Sequence, residues 1–351
     1  MTRRRAPWFA LLACAACDGT DVVVPDFAQG IPGSAFAVGR APDVAARAVM
    51  RRWFAAAAES FQLTLGEADD SLWLIDARTP SPVAELRASR TFREAHAVRP
   101  APEGANWIWL DLQAGVDGAR ARLADRFAVA LQVVDLLDLR TLEWAAGEIE
   151  IAGDHVACDL TIHATSDASG PLAWFVRGDA TPSLLADPRP DDRAALEIRF
   201  EPRAVVRALA SPTRDARPSE FRFDGAVFDI GLAVARSLAS LLDGRFALRI
   251  DRTGAVAIAL GVEDGERARA GIEALVPRLG EEPLRLPGGL GLRFEPRRIL
   301  LDRGASSPAG SFAPPAAFWC DLAVPDGRRL YAELAREDLA DPRLHLRLRL
   351  D

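Results

Sequence analysis

The chain has 351 residues, of which 49% are hydrophobic, and this content can bury one large core or two ordinary ones, which excludes a disordered chain. The formal net charge of -7 argues against a nucleic acid partner, because neutralising phosphates demands a basic face. All 43 cationic side chains are arginine, and the lack of lysine excludes Schiff-base chemistry and a phosphate-binding loop that ends in Gly-Lys.

The N-terminus has the pattern of a bacterial export signal. A cationic stretch that ends at Arg5 is followed by residues 6–16, which are all apolar or small. This run is shorter than the roughly 20 residues that a membrane-spanning helix needs, so it favours cleavage over a permanent anchor. Cys17 stands where a lipoprotein signal places its acylated cysteine, and Cys14 is the alternative. An ordinary secretory signal with incidental cysteines is the other interpretation.

These residues predict the location of the protein. We expect a signal peptide over residues 1–17 and a tether over 18–33, with the mature protein exported and lipid-anchored to a bacterial envelope membrane. The body would lie in the periplasm or at the cell surface.

Strand and helix patterns alternate through a first half, residues 34–187. Pro42 and Asp43 are typical of a helix start, and the apolar positions after Gly118 follow a period near 3.6. The predicted elements are a strand at 35–38, a helix from 42, a strand pair at 61–65 and 72–75, a short helix at 83–93, a strand at 107–112, and a helix at 118–139.

The segment 155–163 alternates as a strand with one buried and one solvated face. Its His155, Cys158, Asp159 and His163 look at first like metal ligands. At about 3.3 Å per residue the two histidines lie roughly 26 Å apart, and Cys158 points to the opposite face. We therefore predict no metal site and no cofactor.

Cys158 and Cys320 are the cysteines of the mature body, and each lies on the apolar face of its segment. An oxidising envelope makes a Cys158–Cys320 disulfide possible. Two buried free thiols are an equal alternative.

A second half, residues 188–303, follows the same alternation. The predicted elements are a strand at 196–200, a helix from Pro202 to Leu209, a helix at 230–242 closed by Asp243-Gly244, a hairpin at 246–260 turning at Thr253-Gly254, a helix capped by Asp264, and a hairpin at 284–294. The five residues 199–203 recur letter for letter as 293–297, each time after an apolar strand. We interpret both copies as strand exits with solvated or paired Glu and Arg.

A linker at 304–315 leads to a C-terminal piece, 316–351, which ends in a strand of alternating leucines that should pair back on the body. Together the elements predict an α+β fold of antiparallel sheets with packed amphipathic helices, arranged as two similar halves plus the C-terminal strands.

The layout resembles uncharacterised exported bacterial proteins that carry a domain of unknown function, with a DUF3352-like order of elements. The resemblance rests on residues 31–35 before a strand and helix, on the short helix at 86–95, and on 241–248 before a strand pair and the helix at 264–279. It covers roughly residues 31–300, and none of its motifs is catalytic. It implies a fold and no mechanism.

No sequence motif indicates catalysis: Gly-x-Ser-x-Gly, Ser-x-x-Lys and His-Glu-x-x-His are all missing. Trp73, Trp107, Trp109 and Trp144 stand among apolar neighbours and favour core packing over a sugar platform. We predict a non-enzymatic envelope lipoprotein with a structural or protein-interaction role, bound to the membrane through its N-terminal lipid. A carrier or chaperone for a hydrophobic, lipid-type ligand is the alternative, and a hydrolase is a distant third.

Overall fold

The computed structural model describes residues 26–76, 85–123, 141–153, 155–165, 182–203, 206, 237, 239–275, 284–286, 290–302, 316–323, 327–335 and 343–351. The predicted signal peptide with Cys14 and Cys17, the linker at 304–315, and most of the helices predicted at 118–139, 202–209 and 230–242 lie outside these residues.

Fifteen strands of the described chain form one continuous sheet, and every neighbouring pair is antiparallel. In chain order they are β1 (Ala35–Arg40), β2 (Thr64–Ala68), β3 (Ser71–Ile75), β4 (Trp107–Asp111), β5 (Leu142–Ala152), β6 (His155–Ala164), β7 (Ala194–Arg199), β8 (Leu242–Ile250), β9 (Val256–Val262), β10 (Leu284–Leu286), β11 (Leu290–Glu295), β12 (Arg298–Asp302), β13 (Phe318–Ala323), β14 (Arg329–Ala335) and β15 (Arg343–Leu350). Across the sheet the order is β10-β11-β12-β9-β8-β7-β13-β14-β15-β6-β5-β4-β1-β3-β2.

The α+β prediction, with separate antiparallel sheets and packed amphipathic helices in two similar halves, is wrong. One sheet dominates, and the described α-helices are α1 (Val44–Phe61), α2 (Arg90–Val98), α3 (Leu112–Leu123) and α4 (Gly265–Leu275). The sheet is continuous because the C-terminal meander β13–β14–β15 pairs with β7 on one side and with β6 on the other. These strands join what would otherwise be two sheet edges.

The two faces of the sheet differ in chemistry around this junction. Neighbouring strands place Asp159, Arg347 and Glu333 opposite one another in one row, on what we call the charged face. The next row, on the other side of the pleat, consists of Cys158, Leu348 and Ala332, and we call that side the apolar face.

Helices cover both faces of the N-terminal part. α1 places Met50 and Phe54 against apolar-face residues such as Leu72, and it is capped by Asp43, whose Oδ2 accepts a hydrogen bond from the Ala46 amide at 2.7 Å. On the charged face, α2 packs Phe92 edge-on against Trp107 and Trp109.

Several predicted boundaries shift for local reasons. α1 includes Phe61 and ends at Gln62 in the left-handed region, φ 53°, so the strand predicted at 61–65 begins only at Thr64. The short helix predicted at 83–93 is a 3₁₀ turn at Leu86–Ala88 followed by α2. α3 begins at Leu112 and not at 118, because the Asp111 carboxylate accepts a hydrogen bond from the Ala114 amide and caps it.

The prediction that a helix ends at Asp243-Gly244 is wrong, since both residues lie within β8. Gly244 does adopt the expected positive φ, 88°, but at an irregularity in the pairing of β8 with β9. A Cβ there would stand 2.1 Å from the Phe200 carbonyl oxygen, so glycine is required by this close approach.

The two copies of the five-residue repeat take different structures. Pro202 begins a helical stretch, whereas Pro296 lies in the turn between β11 and β12. Arg199 is 4% exposed and lies 3.9 Å from Glu197, so of the two interpretations, solvated or paired, this arginine is paired. The hairpins β8–β9 and β10–β11 and the cap of α4 by Asp264 are confirmed.

Candidate partner-binding groove

The charged face is open where it crosses the junction strands. α2 covers it on the side of β4 and β5, and residues 182–192, which we call the covering segment, lie over β7, β8 and β12. A groove of about 720 Å³ lies over β5, β6, β15 and β14. Besides these strands it is lined by residues 104–106 and by Asp43 at the start of α1, and four residues of the apolar face also reach it: Ile149, Ile151, Cys158 and Leu348. Its charged lining includes Glu148, Glu150, Asp159, Glu333, Arg347 and Arg349.

Cross-strand register builds a row of charges across the groove floor. Glu148 of β5 stands opposite Asp159 of β6, Asp159 opposite Arg347 of β15, and Arg347 opposite Glu333 of β14. Asp159 accepts a hydrogen bond from Arg99 at 2.6 Å and lies 3.8 Å from Arg347. The Arg347 side chain remains 67% exposed, so this second contact is a weak surface pair.

A second row lies one pleat further along the strands. Arg349 binds Asp351 at 2.8 Å, and its guanidinium lies 5.6 Å from the centre of the Tyr331 ring. Glu150 and Glu148 are exposed, and neither carboxylate has an ion-pair partner within the described part of the chain. The groove therefore offers two uncompensated carboxylates beside two arginines that already have partners.

Tyr331 contributes a neutral hydroxyl to the groove wall. Burial, and next the neighbouring Glu333 carboxylate, raise the pKa of this phenol to about 12. The hydroxyl donates a hydrogen bond to Glu333 Oε2 at 3.3 Å. The side chain is thus a fixed donor at neutral pH and not an acid or base.

The covering segment, which does not line the groove, is held by buried polar groups. Glu197, 1% exposed, accepts hydrogen bonds from the Ser183 hydroxyl at 2.6 Å and the Leu184 amide at 3.2 Å. Arg249 contacts both carboxylate oxygens of Asp192, at 2.8 and 2.9 Å. Burial raises the pKa of Glu197, as expected for a carboxyl group removed from water.

Sequence analysis did not single out these buried charges. Arg329 also binds this segment, through the carbonyl oxygens of Pro190 at 2.7 Å and Asp192 at 3.0 Å. Alternating strands with arginine on one face are typical of a solvated surface, and nothing in the local pattern indicates that a distant segment covers them.

The histidines of β6 are separated, as strand geometry requires. His155 lies 2.7 Å from Asp351, whereas His163 lies 3.1 Å from Glu143 and stacks on Trp144 at 5.2 Å. Within the described ranges no group of three His, Cys, Asp or Glu side chains could hold a metal ion. The predicted solvated face of this strand is wrong at Thr161, which is 1% exposed.

Cys158 and Cys320 are both free thiols. They occupy one row of the apolar face, with Ala332 and Leu348 between them, and so stand three strand spacings apart. That separation is about 14 Å, whereas a disulfide requires Cα atoms within about 7 Å. Burial raises the pKa of Cys158 to about 11, which keeps it a thiol and removes it as a nucleophile.

Three of the four singled-out tryptophans are core residues. Trp107, Trp109 and Trp144 are at most 1% exposed, and Trp73 packs against their cluster as a partly buried neighbour. Core packing, predicted in preference to a sugar platform, is confirmed.

No helix among the described residues has the length and apolarity needed to cross a membrane. Comparison of the chain with protein-family models, with curated proteins and with solved structures gives no match.

Proposed function

We propose that this protein is a non-enzymatic envelope protein whose groove binds a polypeptide segment of another envelope protein. The observation that carries the proposal is the pair of exposed carboxylates, Glu148 and Glu150, which have no ion-pair partner among the described residues and line the groove beside Asp159. Such a lining can hold a partner by complementary charge and hydrogen bonding, which gives specificity and fast association.

The spacing of the groove charges suits an extended peptide. Glu148 and Glu150 are two residues apart on one strand face, which separates them by roughly 6.6 Å. A partner strand with basic side chains at alternate positions has the same period. Each exposed ion pair contributes only about 0–1 kcal/mol, so binding would depend on several pairs acting together.

The predicted lipid anchor agrees with this role. An anchored body meets other envelope proteins at a high local concentration, so modest intrinsic affinity is sufficient. Acylation of Cys17, or of Cys14, remains the prediction to be tested alongside the groove.

A carrier of a hydrophobic ligand is the second candidate, and the apolar face favours it. On β14 and β15 this face carries leucines that are only half-buried: Leu330, Leu334, Leu346, Leu348 and Leu350. A lipid chain would bind there through apolar contact and not through the charges of the groove.

Site-specific photo-crosslinking in the native envelope tests the proposal. A photoreactive residue in place of Ala157, which lines the groove opposite Glu150, should give a polypeptide adduct, whereas the same residue in place of the exposed Glu266 on α4 should not. The adduct should disappear when Glu148 and Glu150 are changed to Arg. A lipid adduct from Leu346, which does not line the groove, with no adduct from position 157, would favour the carrier; adducts from neither position would contradict both.

Mass spectrometry of the intact protein, purified gently from its envelope, tests the anchor separately. Acyl chains on Cys17 or Cys14 are expected. An unmodified chain that begins at Met1 would contradict the export prediction.

A further inference from the structure

We propose that the protein binds ordered water at an internal site between α2 and the charged face, above Ala146. Four buried polar atoms in this region have no hydrogen-bond partner among the described residues: Trp109 Nε1, Trp144 Nε1, Thr161 Oγ1 and His96 Nε2. Trp109, Trp144 and Thr161 are each only 1% exposed, so bulk solvent does not satisfy them. More than nine-tenths of such buried groups in proteins have a partner, and ordered water often provides it.

Strand register brings three of these groups around one small residue. Trp109 of β4 and Thr161 of β6 stand directly opposite Ala146 of β5, one on each side. Directly opposed residues have Cβ atoms about 4.5–5.5 Å apart. Trp144 precedes Ala146 by two positions and therefore shares its face. Ala146 is fully buried and presents only a methyl group between these larger side chains.

α2 forms the roof of this site. Its Ala95 is also fully buried, and its Phe92 contacts Trp109 edge-on at 5.4 Å. His96 stacks on Phe92 at 6.2 Å and meets Trp107 at 6.1 Å. Burial lowers the pKa of His96, which favours the neutral ring and leaves one ring nitrogen able to accept a hydrogen bond.

The donors and acceptors match water better than any charged ligand. Two indole N–H groups only donate, whereas a threonine hydroxyl and a neutral imidazole can accept. A water molecule accepts two hydrogen bonds and donates two, so its bonding capacity matches two N–H donors and two acceptors. The nearby Arg99 already binds Asp159, and Arg90 binds Glu94 and Glu143, so both of these cations already have carboxylate partners.

The site adjoins the groove, although it does not depend on the proposed function. Asp159 lies two residues before Thr161 on β6 and therefore shares its face. Arg99, just after the end of α2, donates a hydrogen bond to the Asp159 carboxylate. The Arg99–Asp159 pair therefore lies between the internal site and the groove.

Water-to-protein cross-relaxation in NMR tests the inference, with a matched control inside the same cluster. The indole N–H groups of Trp109 and Trp144 should show cross-peaks to long-lived bound water. The indole N–H of Trp107, equally buried, donates to the Arg99 carbonyl oxygen at 3.1 Å and should show none. Trp→Phe variants assign the signals. Cross-peaks missing from both Trp109 and Trp144 would overturn the proposal.

Thr161→Val gives an independent readout, because valine keeps the volume and removes the hydroxyl. If Thr161 binds water, the variant should shift the unfolding equilibrium constant toward the unfolded state by about tenfold. If the hydroxyl has no partner, its removal should leave stability unchanged or increase it, which would contradict the water site. Thr161→Ser, which retains the hydroxyl, serves as the control for packing.

Discussion

The two parts of the sheet are covered by different means. Over β4 and β5 the charged face is packed by α2, with Phe92 interlocked between Trp107 and Trp109. Over β7, β8 and β12 the same face lies beneath the covering segment 182–192, which has no helix and is held by buried carboxylates and arginines. The packing of α2 depends on buried apolar area, whereas the covering segment depends on hydrogen bonds and ion pairs. The two regions should therefore respond differently to mutation, pH and salt.

The largest effect is expected from Phe92→Ala in the helix-covered part. Removal of this fully buried ring leaves a cavity among tryptophans and should cost about 3–5 kcal/mol of unfolding free energy. Denaturant unfolding at low and high salt checks it. Because the loss is apolar, the difference from wild type should be equal at both salt concentrations; a strong salt dependence would contradict the apolar account.

In the other part, Asp192→Ala should cost slightly less, about 3 kcal/mol, because it leaves Arg249 buried without its carboxylate. Limited proteolysis should then cut residues 182–192 before the sheet unfolds globally. The exposed Asp191 offers a matched control, since its change to Ala removes a neighbouring carboxylate without this pair. Equal protease resistance in both variants would argue that the pair does not hold the segment.

Glu197 should make the covering segment sensitive to pH. Burial raises its pKa above the ordinary value of 4.5, so the folded state binds this proton more tightly than the unfolded state. Stability from this group is fully present below pH 4.5 and is lost as pH rises through the folded pKa. Glu197→Gln should flatten that decline in unfolding free energy above pH 4.5, whereas Glu148→Gln, on the exposed groove floor, should not.

The smallest effect on stability is expected in the groove. Arg347→Ala removes a side chain that is 67% exposed and should change the unfolding free energy by about 0–0.5 kcal/mol. Under the proposed function the same variant removes a cation from the row of Glu148 and Asp159, so capture of a basic partner in the crosslinking assay should be retained or strengthened. Loss of stability as large as that of Asp192→Ala would show that Arg347 supports the sheet.

Much of the local structure could be predicted because its causes are local. Gly254, with φ 84°, turns the β8–β9 hairpin, and Asp264 caps α4 through its own side chain. The candidate site was not predictable in the same way. Asp159 lies on a predicted strand, whereas no strand is predicted at Glu148, and only the pairing of β5 with β6, and of β6 with β15, places them in one row.

The sequence by itself determined the strand periodicity, the turns and caps, and the burial of the tryptophan cluster, because each follows from neighbouring residues. Only the tertiary structure decided that the C-terminal meander joins β7 to β6 and that a distant segment covers Glu197. Backbone pairing is nearly independent of side-chain identity, so alternation fixes which face a residue occupies but not which strand lies beside it. The groove, the free thiols and the buried charges all depend on that choice of neighbours.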